Sequence, residues 1–199
     1  RNPVCGLGWD LNTSYIQRDV HYTPDDVSDD KFNLILNGAA HDLVYIPEED
    51  RYHAKIESYL WIKKISGAPN QTGSYWIVKT KDGTEYRFGF NNDSENMAST
   101  RNYVWRWGLD QIKDTNENKI FFSYQENPHP NDIGAVYLSE IRYNNDQLRS
   151  IRFILEGTDK PDAYIVYDQG SKIRKTRRLK EIDSGSFNAR RRADRQTTK

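Results

Sequence analysis

The chain has 199 residues with 29 basic and 29 acidic side chains, a formal net charge of zero, 13% aromatic residues and a mean hydropathy of −0.93. Its apolar residues recur in short clusters along the whole length, which excludes a wholly disordered chain, and no apolar run is long enough to cross a bilayer as a helix. A single cysteine, Cys5, excludes an intrachain disulfide and a cysteine-based zinc site, and reads as a small buried residue beside the glycines that follow it.

In chain order, "VCGLGWDL" (4–11) places Gly6 and Gly8 before Trp9, where glycines allow the chain to turn tightly as it enters a first strand. No methionine precedes this motif, so the chain reads as a piece of a larger parent. Runs with strand composition follow at 13–22, 31–36, 42–47 and 55–65. In "KIESYLWIKKI" (55–65) the alternation sets Ile56, Ser58, Leu60 and Ile62 on one face and Glu57, Tyr59, Trp61 and Lys63 on the other. The strongest local signal lies at 74–90: "SYWIVKT" and "TEYRFGF" alternate around Lys81-Asp82-Gly83, and Asp-Gly between alternating segments predicts a β-hairpin.

Further strand runs occupy 103–107, 119–124, 136–143, 148–155, 163–168 and 171–182, separated by "LNGAAHD", "DTNEN", "ENPHPND", "YNNDQ" and "EGTDKPD" clusters that mark turns. Helical periodicity is weak throughout. The fold class is therefore all-β, with ten or more short antiparallel strands in meanders and hairpins. "WGLDQIKDTNENKIFFSYQ" and "YLSEIRYNNDQLRSIRFILEG" share a strand–turn–strand plan that "RLKEID" begins again, as expected for units added side by side to a growing sheet. Residues 171–199 hold eleven Lys or Arg against three Asp or Glu, leaving the preceding part acidic. The segment 184–199 reads as a solvated basic tail after a domain of 1–183. Its only aromatic residue is Phe187, so the interleaved basic-aromatic face of a nucleic-acid binder is missing.

Catalytic patterns do not emerge. His21, His41, His53 and His129 lack metal-pair spacing, and no G-x-S-x-G elbow or phosphate-cradling loop occurs. His41-Asp42 are neighbours that an extended chain points apart. We therefore assign no catalytic, cofactor-binding or metal-ligating residues and expect no cofactor. Asp25, Asp26, Asp29 and Asp30 offer oxygen ligands for calcium, but without the glycine and glutamate of an EF-hand loop they read first as a solvated acidic turn between strands. Five tryptophans, Trp9, Trp61, Trp76, Trp105 and Trp107, serve either a core or a carbohydrate-stacking surface; Trp105 and Trp107 would share one strand face.

The order of motifs is more specific than any one of them. "GLGWDLNTSYIQRD" (6–19), "DDKFNLILNGAAHDLV" (29–44), "YWIVKTKDGTEYRFG" (75–89), "WRWGLDQIKDTNENKIFFSYQ" (105–125), "YLSEIRYNN" (137–145) and "KPDAYIVYDQGSKIRKTRRLKEID" (160–183) follow one another. Together they resemble the SpvB-type (virulence plasmid B) N-terminal domain that opens the B subunits of insecticidal toxin complexes and many RHS/YD-repeat proteins. One departure is Asn116-Glu117-Asn118, where the family favours Asn-Gly-Asn; the glutamate suggests a different turn type. The resemblance implies a non-catalytic module of a secreted or cell-surface bacterial virulence protein, part of an RHS-like β-shell around a C-terminal toxic polypeptide. Its partners would be the rest of that shell, the enclosed toxin and other toxin-complex subunits, with no nucleic acid and no membrane span. The alternative is a carbohydrate-binding or adhesive β-module using exposed tryptophans.

Overall fold

A computed structural model of the chain describes residues 4–5, 11, 13–144 and 147–186. They contain fifteen strands, two single-turn 3-10 helices and no α-helix. The strands are β1 (Tyr15–Asp19), β2 (Lys31–Leu36), β3 (Ala39–Ile46), β4 (Arg51–Ala54), β5 (Trp61–Ser66), β6 (Ser74–Lys79), β7 (Glu85–Phe88) and β8 (Glu95–Met97). They continue with β9 (Val104–Lys113), β10 (Lys119–Glu126), β11 (Val136–Tyr143), β12 (Arg149–Leu155), β13 (Val166–Asp168), β14 (Ser171–Ile173) and β15 (Leu179–Ser186). All pairings are antiparallel, so the all-β hairpin architecture expected from the alternation is the one formed.

The first seven strands run as an up-and-down meander, and β9 closes it. Its middle pairs with β1 (Tyr15 opposite Gly108, Gln17 opposite Arg106) and its later half with β7 (Glu85 opposite Lys113, Phe88 opposite Leu109). Eight strands, β1 to β7 and β9, therefore form a closed barrel. A barrel of this strand number is just wide enough to be filled by side chains. Here the filling is Ile16, Phe32, Leu34, Ile62, Trp76, Val78, Phe88 and Trp107, each buried. Full burial of one such indole removes roughly 200 Å² from water, worth about 5 kcal/mol before entropy is charged.

The ten-residue length of β9 lets it serve two bodies. At residues 111–113 both edges are occupied, by β7 and β10; at 106–107 they are occupied by β1 and β8. A second sheet thus leaves the barrel wall beside β1 in the order β10-β11-β12-β15. This is the lateral addition of hairpins that the repeated strand–turn–strand plan implied. The β13–β14 hairpin stands apart as a two-stranded unit.

Several sequence expectations are corrected. The run 55–65 is not one strand: β5 starts at Trp61, Tyr59 is left-handed (φ 54°) and Ile56 is 84% exposed, because the chain must reverse between the neighbours β4 and β5. The "LNGAAHD" linker shrinks to Asn37-Gly38, both with positive φ, a two-residue turn whose twist matches the strands; Ala39 already pairs with Leu36. The run 171–182 divides into β14 and β15, since Thr176 is pulled out of register by Asp132. The expected hairpin at 74–90 is present as β6 and β7. Glu117 adopts φ 63°, a left-handed conformation that glycine takes without strain. Its backbone is fixed by Asp114, which accepts from the amides of Asn116 and Asn118 at 2.8 Å each. Strand β15 runs through Ser184, Gly185 and Ser186, three residues placed in the tail by the sequence; the rest of the tail, and Gly6 to Asp10 with Trp9, lie outside the described residues.

Candidate functional site

The residues singled out by the sequence do not converge. Trp76 is fully buried and Trp107 is 1% exposed in the barrel, and Trp105, 4% exposed, packs outside it with Val20, Ala98 and Tyr103. A bulge separates the last two: Asn96 opposes Arg106 while Met97 opposes Val104, leaving Trp105 as the extra residue. The shared exposed face that a sugar-stacking site requires is thus absent at Trp105 and Trp107. Trp61 is half-buried, with Lys79 Nζ 5.4 Å from its ring centre.

The acidic loop disperses its carboxylates instead of gathering them. Asp25 pairs with Arg101 at 2.8 Å, Asp26 accepts from Ser28 at 2.6 Å, Asp29 accepts from Thr23 at 2.9 Å, and Asp30 pairs with Arg18. Among the described residues no group of three or more His, Cys, Asp or Glu side chains is placed to hold a metal ion. His53 contacts Glu49 at 3.1 Å, while His41, on β3, and His21 and His129, in loops, lie on other elements. Cys5 is half-buried rather than buried, packed beside Val4, Ala135 and Tyr137.

Two features that the sequence did not announce are built by the fold. The first is a cleft of about 210 Å³ between the outer wall of the barrel and the second sheet. Gln17 and Arg106 line it from the barrel, Tyr124 and Leu138 from the sheet, and Val166 and Ile173 from the β13–β14 hairpin. Gly108 leaves room for the Tyr124 ring, whose hydroxyl donates to Leu109 O at 2.7 Å; burial drives this phenol's pKa far up. The Arg106 guanidinium lies 3.6 Å from the ring centre of Tyr15.

The hairpin spans this cleft as a strap. Thr100 Oγ1 donates to Gly170 O and Ser99 Oγ to Lys172 O, both at 2.6 Å, and Tyr103 Oη donates to Gln169 O at 2.9 Å. On the far side, Ile133 bridges Arg174, and Asp132 Oδ1 accepts from Thr176 N and Oγ1 at 2.8 Å and from Tyr137 at 3.0 Å. The strap therefore ties barrel to sheet through hydroxyl-to-carbonyl bonds on one side and bonds to the Asp132 carboxylate on the other, an arrangement suited to rigidity.

The second feature is a layer of charge at one end of the barrel. Arg18, Lys64 and Glu95 share faces with the inward residues Phe32, Trp76 and Trp107, directly opposite them in register. Arg18 pairs with Asp30, and Glu95 accepts from the amide of Thr72 at 3.1 Å. Lys64 Nζ lies 5.1–5.7 Å from the ring centres of Phe32, Trp76 and Trp107. Burial, and then the charge of Arg18, depress its pKa. The sequence reading did not single out Lys64, because the rings it faces come from other strands.

No protein-family model and no curated protein matches the sequence. Solved structures do. The N-terminal domain of effector protein SpvB from Salmonella typhimurium strain LT2 is 15% identical, with a TM-score of 0.74 over 93% of this chain and 79% of that one. TcdB2-TccC3 is 17% identical, with a TM-score of 0.73 over 100% of this chain and 12% of that one. The Tc holotoxin pore of Photorhabdus luminescens is 16% identical, with a TM-score of 0.67 over 93% of this chain and 11% of that one. The chain thus spans about an eighth of the toxin-complex polypeptides whose fold it shares. A barrel closed by β9, continued by a laterally growing sheet, is the fold of the SpvB N-terminal domain and of a part of the toxin-complex proteins.

Proposed function

We propose that this chain is a non-catalytic structural module of a secreted toxin-complex or RHS-type protein. Its second sheet forms part of a β-shell that encloses a C-terminal toxic polypeptide. The observation that carries this reading is the fold likeness to TcdB2-TccC3 over 100% of the chain. The architecture is consistent with it: the barrel is plugged by its own side chains, while the sheet beyond β9 grows by repeated hairpins and ends on β15, which pairs only with β12 among the described strands. An eight-residue edge of this kind is a template for another strand. The module acts as wall, and chemistry belongs to the enclosed cargo.

Limited proteolysis of the full natural polypeptide tests the reading. The segment C-terminal to the shell is expected to resist protease until the shell is denatured. Cleavage of that segment at the same rate in native and unfolded protein would contradict enclosure. Turnover by the isolated chain, lost on substituting one of its own residues, would contradict the non-catalytic assignment.

A further inference from the structure

The barrel core holds a continuous stack of oxidisable rings. Trp107 and Trp76 have ring centres 5.8 Å apart, Trp76 and Tyr52 4.8 Å, and Tyr52 and Tyr45 5.1 Å. Phe32 fills the angle beside them, 5.0 Å from Trp76 and 5.7 Å from Trp107. At such separations the ring edges are in van der Waals contact. The stack starts in full burial and ends at Tyr45, which is 45% exposed.

Charged groups flank both of its ends. Lys64 Nζ lies 5.1 Å from the centre of Trp107 and 5.7 Å from that of Trp76, and Arg18 Cζ lies 5.9 Å from that of Trp107. These cations disfavour positive charge on the indoles in a low-dielectric interior. At the other end the Tyr45 hydroxyl donates to Asp50 Oδ1 at 2.9 Å, while Asp50 Oδ2 pairs with Lys63 Nζ at 2.9 Å, so a carboxylate proton acceptor is held against the exposed phenol.

We propose that this stack conducts oxidising equivalents outward, from Trp107 and Trp76 through Tyr52 to Tyr45. A small oxygen-centred radical such as the carbonate radical anion removes an electron from an inner indole and is itself reduced by that one electron to its closed-shell anion. An electron then passes from Tyr45 through the Tyr52 ring to the indole radical cation, while the Tyr45 proton passes to the Asp50 carboxylate. The indole is restored, and the products are a Tyr45 phenoxyl radical and protonated Asp50. At the surface a soluble thiol returns one hydrogen atom to the phenoxyl oxygen, becoming a thiyl radical, and the protonated Asp50 carboxyl releases its proton to water. The barrel core thereby escapes irreversible indole oxidation. This inference is independent of the shell reading.

Laser photoionisation of the tryptophans in the full chain, with the ejected electron scavenged, tests it by transient absorption. In the wild type the indolyl radical band should decay as the phenoxyl band rises, more slowly in heavy water. Tyr45→Phe, conservative and at the surface, should lengthen the coupled indolyl lifetime on the order of tenfold, and Asp50→Asn should lengthen it by removing the proton acceptor. Tyr167→Phe, 71% exposed and outside the stack, should leave it unchanged. Equal lifetimes in wild type and Tyr45→Phe would overturn the proposal. So would oxidation products spread over Tyr22 and Tyr167 as heavily as over Tyr45.

Discussion

At the scale of single residues, backbone conformation and close approach decide most of what a substitution does here. Gly89 has φ 71°, and a Cβ built on it would lie 2.2 Å from Trp107 Cδ1. Gly89→Ala must both hold a left-handed alanine and displace a buried indole, so urea denaturation should show a loss of about 3–4 kcal/mol. Glu117 presents the opposite case. Its φ of 63° strains a β-carbon with only an exposed 3.4 Å pairing to Lys113 in return. Glu117→Gly should therefore stabilise by about 1 kcal/mol in the same assay, and a destabilisation would contradict the strained-turn reading. Lys64 gives the pH dependence. Its folded pKa is depressed, so at alkaline pH below the unfolded lysine value the unfolded chain binds more protons and stability rises with pH. Thermal melts should climb with pH in the alkaline range below the unfolded lysine value of about 10.4, and Lys64→Met should flatten that climb. Above that range half-buried Tyr52 and buried Tyr103, whose pKa values are raised, reverse the trend, because the same phenols ionise first in the unfolded chain.

At the scale of elements, the legible part of the fold was the part with local causes. Alternation and turn chemistry located β2, β6, β7, β10, β11 and β12 nearly to the residue, because each combines strand composition with a bounding turn. Short strands escaped: β4 is "RYHA" and β8 is "ENM", sequences with no apolar alternation, held as strands by pairing with the longer strands next to them, β3 and β9. The Trp105 bulge was equally invisible, since the count of residues opposite β8 is a tertiary fact. The strap was hidden for the same reason: its bonds join residues about seventy positions apart, such as Ser99 and Lys172. Ser99→Ala removes the hydroxyl that donates to Lys172 O and accepts from Lys172 N at 2.9 Å. It should cost about 1–2 kcal/mol and raise hydrogen exchange at the Lys172 amide while the barrel amides keep their protection. Unchanged exchange there would show that the hairpin is held by other means.

At the scale of the whole molecule, β9 makes one chain into a closed barrel and an open sheet. The closed part satisfies its own core and edges. The open part leaves strand β15 and exposed Ile154 and Ile182 at its rim. Composition could bound this outcome but not its layout: a zero net charge and a low mean hydropathy say that much surface stays wet, and only the pairing register shows where closure stops. The resemblance in motif order and the likeness in three dimensions meet at the same fold, while Trp76, Trp105 and Trp107 are taken up by packing and the acidic loop by separate pairings. Enclosure is therefore the central claim. Electron cryomicroscopy of the full natural polypeptide tests it most directly. The expected result is residues 13–186 built into a continuous β-wall, with β15 paired to a further strand and density for a separate polypeptide inside the wall. Residues 13–186 standing as an isolated lobe, with β15 unpaired and no enclosed volume beside it, would contradict it.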